Sequence, residues 1–112
     1  MLPKSLRDKK RYILCRLISD MEKNTGDMNK EIRVLFSKQV LSLYGDVGAS
    51  KMNAKIIQVK DKEEGIYFMV MCNYNYVEHA EFALANIREL ERGKIIADIL
   101  GVSGTQKKLN TL

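Results

Sequence analysis

Any chemistry this sequence performs has to be assembled from one histidine, two cysteines and 14 acids. Their spacing assembles no catalyst. His79 is the sole imidazole, so acid–base chemistry near neutral pH has one candidate and no evident partner. Cys15 and Cys72 stand in apolar segments without CxxC spacing or a neighbouring histidine, and read as buried free thiols. No serine, cysteine and histidine fall into a nucleophilic arrangement. The acid groups Asp20/Glu22, Asp61/Glu63/Glu64 and Glu89/Glu91 fall in turns or on helix surfaces, where solvation accounts for them. The expectation is a chain with no catalytic residue, no metal site and no cofactor of its own.

The groups that can do something are basic. The formal net charge is +5, and its distribution says more than its size. Residues 1–18 hold six bases (Lys4, Arg7, Lys9, Lys10, Arg11, Arg16) against one acid, Asp8, and residues 101–112 add Lys107 and Lys108. The rest of the chain is slightly acidic. Positive charge confined to two ends is the footprint of a protein that meets a polyanion. Two glycine-containing stretches bear on this. YGDVGAS (44–50) lacks the lysine and serine spacing of a phosphate loop and follows a helix, so it reads as a turn. GVSGTQKK (101–108) combines glycines, hydroxyls and lysines that can offer backbone amides and charge to phosphates. The candidate RNA-contacting residues are Arg7, Lys9, Lys10, Arg11, Arg16, Ser103, Thr105, Lys107 and Lys108.

These ends must be positioned by the elements between them. Arg11 to Ile18 is short, apolar and bounded by charge, as a strand is. From Met28 the apolar residues Ile32, Leu35, Phe36, Val40 and Leu43 recur at helical spacing, and Gly45 and Gly48 are expected to end that helix. Met52 to Lys60 and Ile66 to Asn73 read as a hairpin around the polar turn 61–65. Asn75 and Glu78 have the spacing of a capping box, and Val77, Ala80, Leu84, Ile87 and Leu90 trace a second helix stopped by Gly93. Lys94 to Val102 is the last strand. Ser103 to Leu112 is a polar tail with one expected helical turn at QKKL.

The order is βαββαβ, the α+β ferredoxin-like, RRM-like sandwich: a four-stranded antiparallel sheet with both helices on one face. Residues 1–112 read as one domain, with a basic N-terminal segment (1–10) and a basic C-terminal tail (103–112). The expected strand order, 4-1-3-2, sets the first strand beside the last. The start of one (Lys9, Lys10, Arg11) then neighbours the end of the other (Ser103 to Lys108), and two basic ends of sequence become one basic edge of the fold.

An RRM reads single-stranded RNA by stacking bases on sheet aromatics. Here the diagnostic run is Glu64-Gly65-Ile66-Tyr67-Phe68-Met69-Val70-Met71, which departs from the consensus at its leading base and its final aromatic. Adjacent Tyr67 and Phe68 point to opposite faces. Base reading through the sheet is not expected. The face away from the helices is nonetheless apolar, and Tyr12, Leu14, Tyr67, Met69 and Met71 are the residues expected to meet a protein partner there.

The segments LPKSLRDKKRYILCRL, LYGDVGASKMNAKII and GVSGTQKKL, in this order and spacing, resemble protein component 2 of archaeal ribonuclease P over nearly the whole chain. The resemblance implies an RRM-like subunit that binds the catalytic RNA and assists endonucleolytic removal of the 5′ leader from precursor tRNA. It also implies pairing with component 3, two such pairs forming a heterotetramer, with catalytic Mg2+ ions held by the RNA. A βαββαβ chain could otherwise be another ferredoxin-like RNA-binding protein, an ACT-type regulatory module holding a small ligand near YGDVGAS, or a scaffold without RNA contact. No apolar run reaches the ~20 residues that cross a bilayer, and no secretory h-region follows the N-terminal charges. A cytoplasmic location and no membrane partner are expected.

Overall fold

The first strand is apolar on both of its faces, and the fold explains why: it is the middle of the sheet. The structure, a computed structural model, describes residues 9–19, 25–62, 65–87, 89–90 and 93–105. Strand β1 (Lys10–Ser19) lies between β3 (Gly65–Asn73) and β5 (Gly93–Ser103). Strand β2 (Lys55–Lys62) flanks β3, and a two-residue β4 (Glu89–Leu90) pairs with the start of β5. The sheet order is β2-β3-β1-β5-β4, with antiparallel pairing throughout. Apart from the small β4, which the sequence reading did not anticipate, this is the expected 4-1-3-2 order.

Alternation sorts the side chains. Ile13, Cys15 and Leu17 of β1, Ile66, Phe68, Val70 and Cys72 of β3, and Ile95 of β5 are buried in one core with Ile32, Phe36 and Val40 of helix α1 (Thr25–Met52) and Ala80, Ala83 and Leu84 of helix α2 (Val77–Ala85). Both helices therefore cover one face, each presenting apolar residues at i, i+3 and i+4 spacing.

Three boundaries differ from expectation. The YGDVGAS stretch breaks the helix at Gly45, as expected, but does not lead straight into a strand. Gly45, whose φ of +71° and ψ of −179° lie where glycine is at ease, separates the first helical segment of α1 from a second that runs on to Met52. The kink resets the helical phase, so that Ala49 packs on the core and Met52 is fully buried while Val47 is exposed. Gly48 has its own reason: a Cβ there would stand 2.6 Å from Cβ of Tyr44. Consequently β2 begins at Lys55, not Met52. Second, Asn75 caps nothing. It lies inside a 3-10 turn (Tyr74–Tyr76), and α2 starts after Tyr76 without a side-chain cap. Third, α2 stops at Ala85, not Leu90. Asn86 donates from its backbone N (3.2 Å) and from Nδ2 (2.8 Å) to the Phe82 carbonyl, closing the helix early.

Candidate nucleic-acid interface

The register of β1 on β5 decides whether the basic ends meet. Tyr12 pairs with Ser103. One residue outward on each strand, the Arg11 guanidinium lies against Gly104, its Nη1 3.5 Å from where a Cβ on that glycine would be. The start of β1 and the end of β5 thus meet at one corner of the fold. Exposed Lys9 and half-buried Lys10 and Arg11 come from one strand; Ser103, Gly104 and exposed Thr105 come from the other.

Hydrogen bonds hold this corner. Arg11 Nη1 donates to the Lys10 carbonyl (2.9 Å), and the Thr105 amide donates to Ser103 Oγ (3.1 Å). The Tyr74 amide donates to the Lys9 carbonyl (2.8 Å). Lys10 Nζ donates to Asn73 Oδ1 (2.6 Å), and Asn73 Nδ2 donates to the Lys51 carbonyl (2.6 Å). Asn73, the buried polar residue among those described, therefore ties the start of β1, the end of β3 and the end of α1 together. Sequence reasoning passed over it. Its one signal was a polar residue closing an apolar strand.

Arg16 is placed apart. It lies six residues along β1 from Lys10, ~20 Å at the rise of a strand. It forms an ion pair with Asp98 on β5 (Nη2 to Oδ2, 3.1 Å). Its pKa is held above its ordinary value, first by a hydrogen bond with Tyr67 and then by Asp98. Arg7, Lys107, Lys108 and the QKKL turn lie outside the described residues.

The face away from the helices corrects the expected partner surface. Tyr12, Tyr67 and Met71 are half-buried, but Leu14 is 6% exposed and Met69 only 2%. These two occupy neighbouring positions on the central strands and pack with Tyr12 and with Ile57 of β2, which leaves them little surface to offer. The apolar surface of this face lies instead toward β5, at Ile18, Ile96 and Leu100.

Both thiols are buried and free, as read from the sequence. Burial raises the Cys72 pKa to about 11, with Lys10 pulling it down and Glu81 pushing it up, and burial raises Cys15 further. They behave as core side chains rather than nucleophiles. His79, exposed on α2, sits between the rings of Tyr44 and Tyr76 (centroids 5.1 and 5.2 Å away), and its carbonyl accepts from Tyr44 Oη (3.0 Å). It joins the two helices. Among the described residues no three His, Cys, Asp or Glu side chains converge to hold a metal ion, and no helix is long and apolar enough to cross a membrane.

Fold and corner together define a class: a ferredoxin-like sandwich that carries no catalytic constellation among its described residues and gathers cations where its first and last strands meet. Comparison with known proteins narrows this. Residues 11–111 match the model of the Rpp14/Pop5 family, and the chain belongs to that family. The ribonuclease P protein component 2 of Pyrococcus horikoshii is 38% identical over 110 residues, spanning 96% of this chain and 85% of that protein. The component 2 of Methanocaldococcus jannaschii is 35% identical over 107 residues, spanning 96% and 74%. A chain in the cryo-EM structure of yeast ribonuclease MRP shares the fold, with a TM-score of 0.63 at 14% identity over 91% of this chain and 79% of that one.

Proposed function

We propose that this chain is a protein subunit of ribonuclease P that grips the RNA backbone at the β1–β5 corner and assists removal of the 5′ leader from precursor tRNA. Family membership supports the assembly. The pairing of Tyr12 with Ser103 supports the site, because it brings Lys9, Lys10 and Arg11 beside Ser103 and Thr105. The mechanism is electrostatic. Cations at the corner displace condensed counterions and hold the RNA in its active fold. The nucleophile, the leaving-group chemistry and the Mg2+ ions belong to the RNA. A second protein, component 3, covers the sheet face opposite the helices, meeting Tyr12, Tyr67 and Met71 and the apolar residues toward β5, and two such pairs form a heterotetramer. Arg16, already neutralised by Asp98, orders that face and makes no phosphate contact of its own. The complex works in the cytoplasm.

The test is K9A/K10A/R11A in the reconstituted particle. If three phosphates are released, the slope of log affinity against log salt falls in magnitude by about 2.1 to 2.7, and precursor cleavage at limiting magnesium slows. A variant with unchanged slope and unchanged cleavage would place the RNA contact elsewhere.

A further inference from the structure

A second set of cations is lined up by a feature that the sequence conceals. In a regular strand, side chains five residues apart point to opposite faces. Lys55 and Lys60 do not. Strand β2 carries a bulge: Ile56 pairs with Val70 and Gln58 with Met69, leaving Ile57 as the extra residue. On the near side of the bulge Lys55 pairs with Met71, and on the far side Lys60 pairs with Tyr67. Met71, Met69 and Tyr67 alternate with buried Val70, Phe68 and Ile66 of the helix-side core, so all three face away from the helices. Lys55, Gln58 and Lys60 face the same way as their partners. Ile57 anchors the arrangement by packing on Leu14 and Met69. Both lysines are exposed.

Bulges re-aim side chains and commonly sit at sheet edges and beside functional sites. This one converts a sequence whose two lysines would straddle the sheet into a cationic row on one face. No acidic side chain of the described residues pairs with either lysine. Lys10, held by Asn73, stands at the start of β1, beside the end of β3. A row of exposed ammonium groups along a strand suits an extended polyanion with regularly spaced charges.

We propose that Lys55 and Lys60 form a second RNA-backbone contact, a phosphate track along the β2 margin of the open face, distinct from the β1–β5 corner. The proposal rests on the reading of the chain as a ribonuclease P subunit, and it extends the RNA path from the corner at Lys10 across the sheet margin. The bland use of edge lysines is to keep an outer strand from pairing with another molecule. That use requires charge but no common face.

Binding of the full chain to a transcript of the ribonuclease P RNA of its own organism, over a salt series, decides this. K55Q/K60Q keeps a long polar side chain and removes two charges. K30Q/K38Q removes the same net charge from exposed positions of α1, on the opposite side of the sheet. Two lost phosphate contacts lower the magnitude of the salt slope by about 1.4 to 1.8 for the first pair, and the second pair leaves it unchanged. Bound RNA should also shield the Lys55 and Lys60 amines, and not those of Lys30 and Lys38, from acetylation read by mass spectrometry. An equal loss in both pairs would reduce the effect to net charge and overturn the track. An unchanged slope in K55Q/K60Q, with new self-association, would leave edge protection as the role. If K9A/K10A/R11A flattens the slope while K55Q/K60Q does not, the corner stands and the track falls. If the unaltered chain shows no salt-linked binding, both readings fall.

Discussion

The strands that flank the sheet's centre, β2 on one side and β5 on the other, use the same backbone device to opposite ends. Each carries a bulge, at Ile57 in β2 and at Leu100 in β5, where Ile99 pairs with Cys15 and Gly101 with Leu14. On β2 the bulge brings Lys55 and Lys60 onto the open face. On β5 it adds Leu100 to a face that already carries Ile96, which is 65% exposed. Backbone geometry is shared, and side-chain chemistry differs. One margin of the face is cationic and the other apolar, and the half-buried centre at Tyr12, Tyr67 and Met71 lies between them. In the proposed assembly the protein partner takes that centre together with the apolar margin, and RNA is confined to the outer edge at β2.

The strongest way to break this contrast is at the seam between its halves. Leu14→Ala removes a side chain that β1 holds against Met69 and should cost about 2 to 5 kcal/mol in denaturant unfolding. A cost under about 1 kcal/mol would mean that Leu14 is not packed there and that the two margins are one continuous surface. Next in size is the apolar margin itself. I18D/I96D alters exposed positions, so the isolated chain should keep its stability to within about 0.5 kcal/mol. Its affinity for the second protein subunit should fall at least about tenfold, since desolvated charge is placed in an apolar contact. Calorimetric titration that shows full affinity would move that partner to another face. The smallest effect is expected at Arg16. R16A should barely move the unfolding midpoint, since a solvent-screened pair contributes little, and should leave the RNA salt slope where it was. A flattened slope would return Arg16 to the set of phosphate contacts.

Much of this molecule could be read from its residues, and the exceptions share a cause. Alternation in RYILCRLI and IYFMVMC gave correct faces because one side of those strands meets the helices, so burial there enforces the period. The order of the main strands followed from chain connectivity alone, and with it the meeting of the start of β1 with the end of β5; Lys107 and Lys108 lie outside the described residues. What escaped was decided by contacts remote in sequence. Gly45 in YGDVGAS does break the helix, but a second helical segment follows it, which Met52 anchors by filling the core. The Asn75 capping box failed because the 3-10 turn already turns the chain. Nothing in KIIQVKDK marks a bulge, whose position depends on what β3 offers opposite. Asn73 escaped for the same reason, its partners lying on β1 and on α1.

The seating of β1 between β3 and β5 has a consequence for the order of events during synthesis. The strand made first waits for both neighbours, and the later of them is the last of the described strands to be made. Contacts this distant along the chain are slow to form. Until β5 has been made and has docked, the start of β1 lacks the neighbour that completes its corner.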